Sequence, residues 1–222
     1  MLQERGEKFA TYSDRHCTLT QTHLHLYSDK PRAIYLRSIA IKWAKIEFLT
    51  SEDNKSKTIL RFTKNCLSEE FLVKSQETLS KIQPHLRRLA INKDFESRFE
   101  TLKFLGQGNF GAVPSCTNKV TGEEFAAKIY DLRALGGDGG RKWQNMRSCI
   151  KNEVRILRGL AYSENSENFL RVHEVHECNG LIILVVDLIG GGELLTGSKE
   201  TEKFADQEIW RVMTQLAVTL ET

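Results

Sequence analysis

The sequence predicts an α+β chain built in two parts, and three observations predict it. Residues 15–73 alternate apolar and polar side chains at period two between polar breaks, the signature of half-buried antiparallel strands. Residues 79–89 switch to helical spacing and close that part. A second strand-rich pattern begins at Phe99, encloses one strong helical segment, and carries a glycine-rich stretch near its start.

In the first part, Cys17 and Leu19, Leu24 and Leu26, and Ile39, Ile41 and Trp43 repeat every second residue. Residues 45–48, 58–62 and 70–73 supply further strands, separated by breaks such as Ser51-Glu52-Asp53-Asn54. Leu79, Ile82, Leu86 and Leu89 fall on one helix face, with a kink expected at Pro84. Several short strands closed by one C-terminal helix resemble a pleckstrin-homology domain, which implies an antiparallel β-barrel with a closing helix over residues 1–90. The tryptophan usual in that helix is absent, and Thr20-Gln21-Thr22-His23 offers no basic cluster in the first hairpin. Lys30, Arg32, Arg37, Lys42 and Lys45 are the candidates for a lipid-facing patch, but scattered surface charge is the commoner arrangement. Protein contacts or autoregulation are therefore expected ahead of tight lipid binding. Residues 91–98 are charged and read as a linker.

Composition narrows the class. The 32 Lys and Arg against 29 Asp and Glu leave a net charge of +3, which makes no electrostatic case for nucleic acid. With 40% hydrophobic and 27% charged residues, the chain has the balance of a soluble globular protein, not of a disordered or collagen-like one. The five cysteines (Cys17, Cys66, Cys116, Cys149 and Cys178) are odd in number, scattered and never in a C-x-x-C arrangement, so a reducing, cytoplasmic setting is expected. The N-terminus mixes both charge signs without an apolar core, unlike a secretory signal. Residues 181–188, the longest apolar stretch, are interrupted by Asp187 and fall short of the ~18 residues of a membrane span, so no transmembrane segment is expected.

The chemistry concentrates after Phe99. In Leu105-Gly106-Gln107-Gly108-Asn109-Phe110-Gly111-Ala112-Val113 the glycines fall at G-x-G-x-x-G, but strand-like residues follow where a dinucleotide-binding unit would open a helix. A β-hairpin lid over phosphates is the better reading. Phe125-Ala126-Ala127-Lys128-Ile129 is an apolar strand with one lysine, whose ammonium needs an anion beside it if it is covered. Glu153 supplies a carboxylate, on a helix whose buried side carries Ile150, Val154 and Leu157. Residues 170–176 and 181–187 are strand candidates, followed by Gly190-Gly191-Gly192.

Together these motifs resemble the N-terminal lobe of a eukaryotic serine/threonine protein kinase, closest to the calcium/calmodulin-dependent group, over residues 99–222. The resemblance implies a five-stranded antiparallel sheet with one helix, then a hinge and the first helices of a C-lobe. It implies that Leu105, Gly106, Gln107, Gly108, Asn109, Phe110 and Gly111 form a loop over the phosphates of ATP, and that Lys128 holds them while paired with Glu153. It implies that Val113 and Ala126 sandwich the adenine, that Val186 is the gatekeeper, and that the Asp187 carbonyl and Ile189 amide bond the adenine edge. Glu193 matches the acidic position that meets the ribose and an arginine of a substrate. Pro114 departs from the pattern, and the second strand is expected at the sheet edge, where proline is tolerated.

Residues 206–220 resemble the long helix before the catalytic loop, yet within the sequence no H-R-D, catalytic-loop asparagine or D-F-G follows. The expectation is a truncated kinase domain that binds ATP, with its catalytic aspartate beyond Thr222 and without the protein ligands for Mg2+, so that the chain alone transfers no phosphate. The alternative is a non-catalytic, pseudokinase-like or short-isoform regulatory module. Other motifs are expected to be structural. His173 and His176 are three apart and would leave a strand on opposite faces, so no metal site is expected. The Walker-like residues 192–199 and the Gly136-Gly137-Asp138-Gly139-Gly140 insert read as surface loops, and Asp94-Phe95-Glu96 precedes the glycine loop and cannot be a D-F-G element.

Overall fold

The computed structural model describes residues 2–5, 12–28, 34–51, 57–108, 111–135, 140–191 and 206–220. The chain divides into two compact units, Met1–Arg98 with Glu174–Ile183, and Phe99–His173 with Leu184–Thr222.

The first unit joins two antiparallel meanders, the first four strands and the next three, through pairing of the first strand with the seventh. Strands β1 (Leu2–Arg5), β2 (Tyr12–Leu19), β3 (His23–Ser28), β4 (Tyr35–Ala40), β5 (Lys45–Thr50), β6 (Thr58–Lys64) and β7 (Leu67–Val73) lead into helix α1 (Gln76–Leu89), the two-residue strand β8 (Ile91–Asn92) and the short helix α2 (Phe95–Arg98). Their order in the sheet is β4-β3-β2-β1-β7-β6-β5-β8. The seven longer strands pair antiparallel with their neighbours, and β8 runs parallel to β5.

Alternation explains the core: Leu24, Leu26, Ile39, Ile46, Leu60, Phe62, Phe71 and Val73 are buried, together with Leu79 and Leu86 of α1. Phe62 and Phe71 meet edge to face at 6.1 Å. The Ser75 hydroxyl caps α1 by accepting the Thr78 N–H at 3.1 Å, and Pro84 sits inside the helix without ending it.

Three expectations are corrected here. The sheet is open: the free edge of β5 is taken by β8, so the described strands do not close into a barrel. Residues 91–98 are packed, because Ile91 and Asn92 pair in parallel with Lys45 and Ile46 on one side and with Val175 and His176 on the other, and Phe95 is buried. Trp43 does not extend the β4 alternation, since it lies in a turn with φ of 65°.

The second unit centres on β9 (Phe99–Gly108), β10 (Gly111–Asn118) and β11 (Glu124–Asp131), with α3 (Arg141–Leu160), β12 (Val172–Cys178), β13 (Leu181–Asp187) and α4 (Asp206–Leu220). The order from β13 is β13-β11-β10-β9. The division between units passes through β12 and β13, whose hairpin end, turned by Asn179 and Gly180 at φ of 49° and 76°, groups with the first unit. Asn118 turns β10 into β11, its side-chain oxygen accepting the Val120 N–H at 2.9 Å.

Pro114 does not lie at an edge, because β10 runs between β9 and β11. It is accommodated by register shifts on both sides, and the ladder is repaired by the next residue. The Ser115 hydroxyl accepts the Lys103 N–H at 3.1 Å and donates to the Lys103 carbonyl at 3.2 Å, satisfying both groups of the bulged residue.

Candidate functional site

The site is built on β11. Alternation along this strand puts Lys128 and Tyr130 on one face, and α3 presents Glu153 to them from the side that also buries Ile150 and Val154. Lys128 Nζ donates to Glu153 Oε1 at 2.6 Å, with 30% of each side chain exposed. The other carboxylate oxygen accepts from the Tyr130 hydroxyl, and the Lys128 ammonium lies 5.3 Å from the centre of the Tyr130 ring. Burial, and then the hydrogen bond and charge of Glu153, push the Tyr130 phenol well above its ordinary range, so it is a neutral donor at all physiological pH.

Next to this group the glycine-rich hairpin crosses from β9 to β10, and its glycines differ in what they require. Gly111 has φ of 153°, and a Cβ there would stand 2.0 Å from the Ile129 carbonyl oxygen, so the close approach of β11 forbids a side chain. Gly106 has nothing within 4 Å of where its Cβ would be. Gly108 ends β9 and pairs with Gly111. Leu105 and Gln107 are exposed, whereas Asn109 and Phe110 lie outside the described residues.

Val113 is half-buried on β10, and Ala126, paired with Ser115, is buried on β11. Val186 is buried near the end of β13, and Ile189, two residues past the strand, is exposed. Asp187 has a side-chain role that its sequence position did not reveal: its carboxylate accepts the Arg171 N–H at 3.0 Å and meets His173 Nε2 at 2.7 Å, fixing the end of β13 against the start of β12. Glu193, residues 136–139 of the glycine insert and the Walker-like residues 192–199 lie outside the described residues.

The remaining motifs resolve into structure. His173 is engaged by Asp187, and His176 is fully buried against Glu174 at 3.0 Å. Among the described residues no group of three or more His, Cys, Asp or Glu could hold a metal ion. Asp94 accepts two hydrogen bonds from Arg87, at 2.9 and 2.7 Å, and Phe95 is buried. Of the basic residues considered for lipid, Arg37 pairs with Glu69 and Lys45 with Glu177, and Lys30 and Arg32 lie outside the described residues. No described helix is long and apolar enough to cross a membrane.

Tyr130 and Ser115 were missed by motif reading. Tyr130 had one available signal, its place two residues after Lys128 on the same strand face. Ser115 had none, since its role exists only once Pro114 has displaced Lys103.

A glycine-rich hairpin, a strand lysine and a helix glutamate that grips it form an arrangement that comparison with known proteins accounts for. A model of the protein kinase domain matches residues 99–222. The chain is 27% identical over 130 residues to the serine/threonine-protein kinase DCLK3 of Mus musculus, covering 59% of this chain and 15% of the mouse protein. It is 30% identical over 126 residues to calcium-dependent protein kinase 5 of Plasmodium berghei (strain Anka), covering 56% and 20%, and 26% identical over 163 residues to calcium-dependent protein kinase 4 of the same organism, covering 73% and 29%. The chain thus spans between 15% and 29% of the length of these relatives. The matched residues begin where the glycine hairpin's first strand begins and contain Lys128, Tyr130 and Glu153, and on that ground the chain belongs to the protein kinase family.

Proposed function

We propose that residues 99–222 are the ATP-binding part of a serine/threonine protein kinase, whose reaction moves the γ-phosphate of ATP to a protein hydroxyl. The single observation that carries this reading is the Lys128–Glu153 ion pair at 2.6 Å beside the glycine-rich hairpin. Glu153 fixes a lysine that would otherwise wander on its flexible stem, and the lysine is then available to the α- and β-phosphates. Buried Val186 and Ala126 with half-buried Val113 support an apolar seat for adenine. Magnesium accompanies the nucleotide in this reading and neutralises charge on its phosphates.

In the family the reaction also needs an H-R-D aspartate to accept the substrate hydroxyl proton and a D-F-G aspartate to hold the metal; in this reading residues 99–222 carry its nucleotide-binding side. The first unit is read as a module that makes protein contacts. The odd number and scattered spacing of the cysteines, never C-x-x-C, support a reducing, cytoplasmic setting. The test is a titration of the wild type and of Lys128→Met with MgATP. Nucleotide binding that Lys128→Met abolishes is the expected result. Absence of binding, or equal binding by Lys128→Met, would overturn the ATP reading.

A further inference from the structure

We propose that Tyr130 is a positioning residue of the nucleotide site, holding the Glu153 carboxylate in place while Lys128 divides its hold between that carboxylate and phosphate. The proposal deepens the ATP-binding reading and rests on it.

The geometry starts from the two oxygens of one carboxylate. Glu153 Oε1 takes the Lys128 ammonium, and Oε2 takes the Tyr130 hydroxyl. The donors differ in mobility. Lys128 stands on a four-carbon stem with 30% of its side chain exposed, whereas Tyr130 is 1% exposed and its ring is fixed by packing. A lysine shared between a glutamate and a phosphate must give up part of its hold on each. If it were the sole partner, Glu153, itself 30% exposed, would be free to turn to water whenever the lysine moved. The buried phenol removes that freedom, because one oxygen stays bonded to a group that cannot follow the lysine.

The chemical type of the donor matters as well. A second cation in this place would neutralise Glu153 and weaken its hold on Lys128. A phenol held far from ionisation donates a hydrogen bond and leaves the carboxylate its full charge. The ring does a second task, since its face lies 5.3 Å from the Lys128 ammonium and offers the cation a favourable surface on its way between partners. Tyr130 thus touches both members of the ion pair and needs no contact with nucleotide to affect how it is held.

The test uses the whole 222-residue chain and MgATP in calorimetric titrations of the wild type, Lys128→Met, Tyr130→Phe, Glu153→Gln and the Tyr130→Phe/Glu153→Gln double variant. Tyr130→Phe keeps the ring and its packing and is expected to weaken ATP binding by about tenfold, the scale of one lost hydrogen bond to a charged group. In the Glu153→Gln background the same change is expected to add less than about twofold, because the two residues act as a unit. A spectroscopic signature needs no tyrosine substitution: in chain carrying 13C-labelled tyrosine, the Tyr130 ζ-carbon resonance should move when Glu153→Gln is introduced. Wild-type ATP affinity in Tyr130→Phe, alongside loss of binding in Lys128→Met, would overturn the positioning role alone. An equal effect of Tyr130→Phe in both backgrounds, or an unmoved resonance, would also overturn it. A wild-type chain that binds no ATP would overturn the proposal together with the reading beneath it.

Discussion

The first unit buries a cluster of charges, and the second leaves one partly open. Around β8 the burial lies mainly on the cation side: Arg87 is 9% exposed, bonds Asp94, itself 35% exposed, through two nitrogens, reaches Asn92 Oδ1 at 3.2 Å, and lies over the Phe48 ring at 4.6 Å. Arg98 and fully buried His176 converge on Glu174. Burial alone would raise both carboxyls, but hydrogen bonds and charges from the cations outweigh it, lowering Asp94 and holding Glu174 at about 2. In the second unit the Lys128–Glu153 pair keeps 30% of each side chain in reach of solvent. Buried pairs of the first kind are expensive to break and fix one geometry, whereas a half-exposed pair contributes little to stability and can be shared with a ligand.

That contrast breaks first at Arg87. Removing it as Arg87→Ala would leave Asp94, itself 35% exposed, without its bidentate partner and is expected to destabilise the first unit by about 3 kcal/mol, the scale of the charge-assisted hydrogen bonds lost, read from the midpoint of chemical denaturation. A loss under about 1 kcal/mol would remove the distinction between the clusters.

The next effect is on pH dependence. A carboxyl whose folded value is depressed contributes stability above its unfolded value, and that contribution is lost as pH falls toward the folded value. With Glu174 lowered from 4.5 to about 2, the first unit should lose on the order of 3 kcal/mol between about pH 5 and about pH 2. Glu174→Gln should flatten this slope. Equal slopes in both proteins would show that other carboxylates carry the acid sensitivity.

Smaller changes sharpen the comparison from the other side. Ser115→Ala removes the hydroxyl that bonds both backbone groups of Lys103 beside the Pro114 bulge, and should cost the second unit about 1–2 kcal/mol. Lys128→Met should change stability by less than about 1 kcal/mol, since the pair it breaks is partly solvated. A larger stability loss there would make the ion pair structural.

The same contrast explains what could be read from sequence. Period two found β2, β3, β5 and β6, and the 3.6-residue period found α1 and α3, because both signals record burial of a repeating face, whereas β4 and β7 bury residues at one end only. β1 was not legible: Leu2–Arg5 has one buried apolar residue, and its membership comes from pairing with β2 and β7 far along the chain. β8 was misread as a linker for a similar reason. Its neighbours in sequence are charged, and the partners that bury it, on β5 and β12, are distant. The barrel expectation fails for the same reason, since β8 occupies the edge of β5 that closure would need. In the second unit Lys128, Glu153 and the glycines were legible because they stand at the spacing of the protein kinase motifs, within the residues that the family matches. Tyr130 was not, because its bond to Glu153 depends on how α3 meets β11.

The claim that most of this rests on is that the Lys128–Glu153 site receives ATP. Amide resonances of the 15N-labelled chain titrated with MgATP test it directly. The account predicts shifts at Gly106, Gly111, Ala126, Lys128 and Asp187, all lost in Lys128→Met. Shifts confined to residues 2–98, or a spectrum unchanged by nucleotide, would contradict it.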